Sequence, residues 1–187
     1  MKRVTKFLSL ALAVVLSVSV FTVNANAMSA AGEAHRRVLT TEEVTTIYKT
    51  FNAKVYAKMY PDVVKELGED EMALFTHFVT FGIWEQRQPS DAFNVDAYAS
   101  MNPDLQEAFG DDIVAYYIHY ANHPGATGVT RPTPTLYYAV WHNNTIYSVY
   151  DFVKGQKGPK AGSVPVCTSN YHPGIVISEL PAETDPK

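Results

Sequence analysis

The chain has 187 residues, 47% of them hydrophobic and 18% charged, with a formal net charge of -4. That composition excludes a wholly disordered chain, and an acidic balance with no basic run after Arg37 excludes a general nucleic-acid binder. The single cysteine excludes an intramolecular disulfide framework and a Cys-based zinc cluster.

Residues 1–27 carry the pattern of a secretory signal peptide. Lys2, Arg3 and Lys6 precede an uncharged apolar stretch, Phe7 to Phe21, and Ala25-Asn26-Ala27 supplies the small residues of a cleavage site. The stretch is shorter than the ~20 residues that span a bilayer, so cleavage after Ala27 is expected. The chain from Met28 onward is then acidic, with a net charge of -7 and no further membrane span. The expected location is secreted or extracellular, with association to the cell surface included. Residues 28–42 are expected to be an N-terminal linker or cap, and the segment from Thr41 to Thr50 offers a capping threonine and an extra helix.

An internal repeat organises residues 43–131. Shifting the chain by 42 places residues 51–80 on 93–122 with eleven of thirty positions identical. Phe51, Asn52, Tyr56, Pro61, Asp62, Gly68, Asp70 and His77 meet Phe93, Asn94, Tyr98, Pro103, Asp104, Gly110, Asp112 and His119. A period near 40 marks stacked supersecondary units. Copy 1 is set at residues 51–92 and copy 2 at 93–131. In copy 1 a short helix over 53–59 stops before Pro61, because a residue preceding proline is pushed toward extended geometry. Pro61 opens a second helix and Gly68 ends it. Asp70 caps a third, running from Glu71 to about Phe81, and Gly82 terminates that one. The third helix places Leu74, Phe75, Phe78 and Val79 on one arc. Val114, Tyr116, Tyr117 and Tyr120 fill the arc of copy 2, which suggests a core shared between the copies.

The pattern F-N-x-x-x-Y-A-x-M-x-P-D, then G-x-D, H-F and Gly82-Ile83-Trp84-Glu85-Gln86-Arg87, resembles a tandem Tyr/Phe-rich helical repeat of Gram-positive secreted and surface proteins. Asn102-Pro103-Asp104-Leu105 and Ala108-Phe109-Gly110-Asp111-Asp112 carry the likeness in copy 2. Gln86 stands where that family often has glycine, and copy 2 has His123-Pro124-Gly125-Ala126 in place of the G-x-x-E-G-R ending. The resemblance implies a bacterial extracellular module and no common catalytic role.

Residues 132–187 are expected to form a β-hairpin and a flexible tail. Leu136 to His142 and Thr145 to Val153 are rich in Tyr, Val, Ile and Trp and flank Asn143-Asn144, which suits a two-residue turn. Trp141 then faces Ile146. One face of such a hairpin would rest on the helices. Tyr137, Trp141 and Tyr150 would lie on one face and Tyr138 and Tyr147 on the other, so whichever face is left exposed would offer its share of these five as aromatic binding residues.

Other candidate groups have plainer alternatives. His77 and His119 share one repeat position, which suits boundary histidines bonding the next unit, or a paired proton site. His119 and His123 stand four apart, a weak metal-ligand spacing, with Pro124 ending the helix. Cys167 lies in a polar stretch and is either buried or available for pairing between chains. No catalytic residue and no cofactor is assigned. The expected fold is mainly α, with two stacked three-helix repeats and a small C-terminal β-hairpin region. The expected function is a secreted, non-enzymatic interaction module. Its partner is an unknown extracellular protein or glycan, not nucleic acid, and dimerisation through Cys167 or the hairpin is allowed. The alternatives are a secreted hydrolase or metal-dependent enzyme, and a carbohydrate-binding accessory domain.

Overall fold

A computed structural model describes residues 28–123, 135 and 144–167. The fold is mainly helical, and no strand or sheet occurs among the described residues. These residues fall into two compact units, one through Asp91 and one from Ala92 onward. The expected signal segment, 1–27, lies outside the described residues. So does the expected first hairpin arm, 136–142, with Tyr137, Tyr138 and Trp141.

The first unit opens with α1 (Ala30–His35) and α2 (Thr41–Tyr48). Thr40, one residue earlier than the sequence suggested, caps α2. It forms a capping box with Glu43, whose side chain accepts from the Thr40 backbone. Then come α3 (Ala53–Met59), α4 (Pro61–Leu67) and α5 (Glu71–His77). Asn52 Oδ1 caps α3 and the Asp70 carboxylate caps α5, each satisfying amides that the helix leaves unpaired.

α5 does not run on as one regular helix to Phe81. It passes into a π-helix, Phe78–Gly82, in which the Ile83 amide donates to the Phe78 carbonyl at 2.9 Å. A Cβ at Gly82 would lie 2.6 Å from the Tyr56 hydroxyl, so only glycine lets the helix end close over that group.

The second unit contains α6 (Val95–Met101), α7 (Pro103–Phe109) and α8 (Ile113–Asn122). Asn94 and Asp112 cap α6 and α8. Residues 144–167 pack on α6 and α7. Here the expected second hairpin arm, 145–153, is corrected: it is not a strand. Ile146 pairs across an isolated antiparallel bridge with Cys167, and Val149–Asp151 form a 3-10 turn capped by Ser148. Ile146, Val149, Tyr150 and Phe152 are all buried, a spacing incompatible with strict alternation between two faces. Docking on the helices outweighs the β-propensity of this stretch.

Aromatic rings fill both units in the same geometry. Phe51 stacks on Phe78 at 5.4 Å and 29° and meets Phe75 at 5.2 Å. Phe93 stacks on Tyr120 at 4.4 Å and 27° and meets Tyr117 at 5.0 Å. Phe75, Phe78, Tyr116 and Tyr117 are buried, while Tyr120 is half-buried with its hydroxyl reaching the Ala92 carbonyl.

Gly68 and Gly110 both end their helices at positive φ, 73° and 60°. A Cβ on Gly68 would meet nothing within 4 Å, but one on Gly110 would strike the Lys154 backbone nitrogen at 2.3 Å. Gly68→Ala is therefore expected to cost about 1–2 kcal/mol from backbone strain alone. Gly110→Ala should lose about 1–3 kcal/mol more, because the covering segment must also shift. Urea denaturation of the two variants measures the difference, and equal losses would mean that Lys154 does not press on Gly110.

Candidate functional site

His77 and His119, matched by the 42-residue shift, each bond a tyrosine of their own unit. Tyr56 Oη lies 3.0 Å from His77 Nδ1, and Tyr98 Oη lies 2.9 Å from His119 Nδ1. In both pairs the tyrosine comes from the first helix of the trio and the histidine from the third. Helical spacing aims both rings at the unit interior.

His77 is buried, and its Nε2 has no hydrogen-bond partner. Burial, with the Arg87 charge adding to it, pushes its pKa down to about 4, so the ring is neutral at pH 7. Burial likewise raises the Tyr56 hydroxyl far above its ordinary range. This pair is a neutral contact and not a charged acid–base couple.

The weak metal candidates, His119 and His123, stack with ring centroids 4.5 Å apart. His123 Nδ1 bonds the His119 carbonyl at 2.9 Å, and His119 Nδ1 is engaged with Tyr98. Among the described residues no group of three or more His, Cys, Asp or Glu side chains could hold a metal ion. No helix among them is long and apolar enough to cross a membrane.

Cys167 is buried beside Ala97 and Ile146, with Met101 packed against them. Burial pushes its thiol pKa up, which holds it in the weakly nucleophilic protonated form. A disulfide between chains through Cys167 would first require this cluster to open. Of the hairpin aromatics that are described, Tyr150 is buried and Tyr147 is half-buried. Tyr150 therefore serves as core, and burial raises its hydroxyl pKa well above the ordinary value.

Residues 85–88, after the π-helix, meet Tyr60 and Asp62 in space, which the sequence motif did not disclose. The Arg87 guanidinium forms a two-point pair with Asp62 at 2.8 and 3.2 Å and also bonds Glu85. It lies over the Tyr60 ring, 4.7 Å from its centroid. The Tyr60 hydroxyl accepts from the Gln88 amide. Arg87 holds the Asp62 carboxyl below the usual carboxylate range. The P-D that opens α4 and the E-x-R after the π-helix are thus two ends of one clamp. The signal lay in their joint presence in copy 1, although spacing alone gives no pairing.

The sequence matches no protein-family model, and no curated protein and no solved structure matches it.

Proposed function

We propose that the chain is a secreted, non-enzymatic interaction module with an extracellular protein or glycan as its partner, built on two tandem copies of one helical unit. The repeat reading is supported by helices whose bounds are offset by 42, from Ala53–Met59 to Val95–Met101 and from Pro61–Leu67 to Pro103–Phe109. The recurring Tyr–His pair and ring stack support it as well. The resemblance to Gram-positive surface repeats favours a bacterial, extracellular setting.

The observation that carries the non-enzymatic role is the fate of the reactive groups. Tyr56, His77, Tyr150 and Cys167 are buried, and burial pushes each toward its uncharged form. A nucleophile or general base needs the opposite tuning. Binding of the secreted chain to isolated cell-envelope protein and glycan fractions tests the role. Saturable binding should survive His119→Ala, His123→Ala and Cys167→Ala. Loss of function in any of these variants while folded would favour the enzyme alternative.

Secretion rests on the charged N-terminus, the apolar stretch and Ala25-Asn26-Ala27. Mass spectrometry of the culture medium should find an N-terminus at Met28. Recovery of full-length chain only in the membrane fraction would refute it.

A further inference from the structure

The helix pairs α3–α4 and α6–α7 occupy positions 42 apart, yet they differ in charge and, among the described residues, in what covers them. Over α6 and α7 the chain lays its own residues 144–167. Ile146 is buried against Ala97, Cys167 and Met101. The Tyr147 amide donates to Ser100 Oγ at 2.9 Å and the Val149 amide to Asp96 Oδ1 at 2.8 Å. The Gly155 amide donates to the Glu107 carbonyl at 2.8 Å. Lys157 reaches the Glu107 carboxylate at 3.4 Å and Lys160 reaches Asp111 at 3.9 Å. A non-helical basic segment thus rests on a partly apolar face with an acidic rim.

On α3 and α4 the counterparts of Asp96, Ser100 and Glu107 are Lys54, Lys58 and Lys65. All three lysines are exposed, and so is Gly68, above which a Cβ would find open space. Beside them Val55, Met59 and Val64 are half-buried. The face keeps an apolar strip and carries lysines in place of Asp96, Ser100 and Glu107, while Asp111 keeps an acidic counterpart in Glu69 at its edge. Its lysine stems extend the apolar contact, and their ammonium groups seek carboxylates and carbonyls.

We infer that the Lys54–Lys58–Lys65 face of the first unit docks an extended acidic segment of another protein, laid over α3 and α4 as residues 144–167 are laid over α6 and α7. This deepens the interaction role proposed above and rests on it. The occupant is acidic because Lys54, Lys58 and Lys65, which form no ion pair among the described residues, repel a basic strap and attract an anionic one. It is a polypeptide because the same backbone geometry in this chain accepts one. The half-buried Val55, Met59 and Val64 reward apolar side chains between the acids.

Two synthetic peptides test it. One is residues 144–167 of this chain, and the other carries Lys154→Glu, Lys157→Glu and Lys160→Glu. Binding to the secreted chain is read by fluorescence anisotropy. The charge-reversed peptide is expected to bind at one site, about tenfold tighter than the native one. The variant Lys54→Glu/Lys58→Glu/Lys65→Glu should lose that binding by about tenfold or more, with its circular dichroism unchanged. Three results would overturn the inference. One is that neither peptide binds. Another is that polyglutamate of equal length binds as tightly, which would mean charge attraction without docking. The third is a homodimer that the triple variant disperses, which would make a second copy the occupant. The envelope fractions separate this inference from the broader role. If the triple variant still binds its partner there, the face is misassigned and the interaction role stands. If the wild-type chain binds nothing there, the interaction role fails, and the peptides still judge the face.

Discussion

Phe78→Ala is expected to destabilise the first unit by about 3–5 kcal/mol. The ring is fully buried, stacked on Phe51 at 5.4 Å and edge-on to Tyr56 at 5.5 Å. Little can move into the space it leaves. Gly82 has no side chain to offer, and the Phe78 carbonyl is fixed by the Ile83 amide across the π turn. The hole therefore persists, and residual cavity volume sets the upper end of such costs. Tyr120, the counterpart in the second unit, is half-buried, and part of its ring already meets water. Tyr120→Ala should cost distinctly less. Urea unfolding followed by fluorescence checks this, since Trp84 is fully buried in the first unit and reports on that unit's packing. A Phe78→Ala loss below about 1 kcal/mol would show that the ring stack is not a core. A loss of the expected size would remove much of the stability of a small domain.

The features legible in the sequence were those whose causes are local. Pro61 and Gly68 bound α4 because proline fixes φ and glycine tolerates a left-handed cap. Asp70 caps α5 because its carboxylate reaches amides two and three residues on. What escaped was set by partners far along the chain. The end of the π-helix closes on the Tyr56 hydroxyl, 26 positions before Gly82. The 42-residue period matched His77 with His119 and Tyr56 with Tyr98 but did not pair histidine with tyrosine, because a period names equivalent positions and not contacts. Residues 145–153 have a strand-like composition, yet Ser148 and Asp96 bend them into a 3-10 turn on α6. Cys167 sits in a polar stretch by composition and is buried by its bridge to Ile146. Gln86 is the instructive case. It holds φ at 57°, a left-handed conformation that favours glycine, at the position where the resembling repeats often carry glycine.

The other large expected effect is a loss of stability on mild acidification, traced to His77. In the folded chain its ring is 3% exposed, with Tyr56 on Nδ1, no partner on Nε2 and Phe81 beside it at 5.7 Å. The charged groups acting on it are Arg87, which opposes protonation, and Asp62, which favours it. Burial, with Arg87 adding to it, outweighs Asp62 and lowers the pKa from 6.5 to about 4. The sign follows from proton counts. Between these two values the unfolded chain binds a proton that the folded ring refuses, so acid favours unfolding. The contribution is fully present above pH 6.5 and is lost as pH falls through that window toward 4, about 3 kcal/mol in all. Asp62 and Glu43 act in a lower window. Arg87 and Arg37 respectively lower their carboxyl pKa values, so their stabilisation persists until the pH drops below the ordinary carboxylate range. Urea midpoints of wild type and His77→Gln between pH 7.5 and 4.5 separate the contributions. The variant starts less stable, because it loses the histidine contact, but its decline across this range should be shallower. If both chains lose stability with the same slope, His77 is not the group that senses acid.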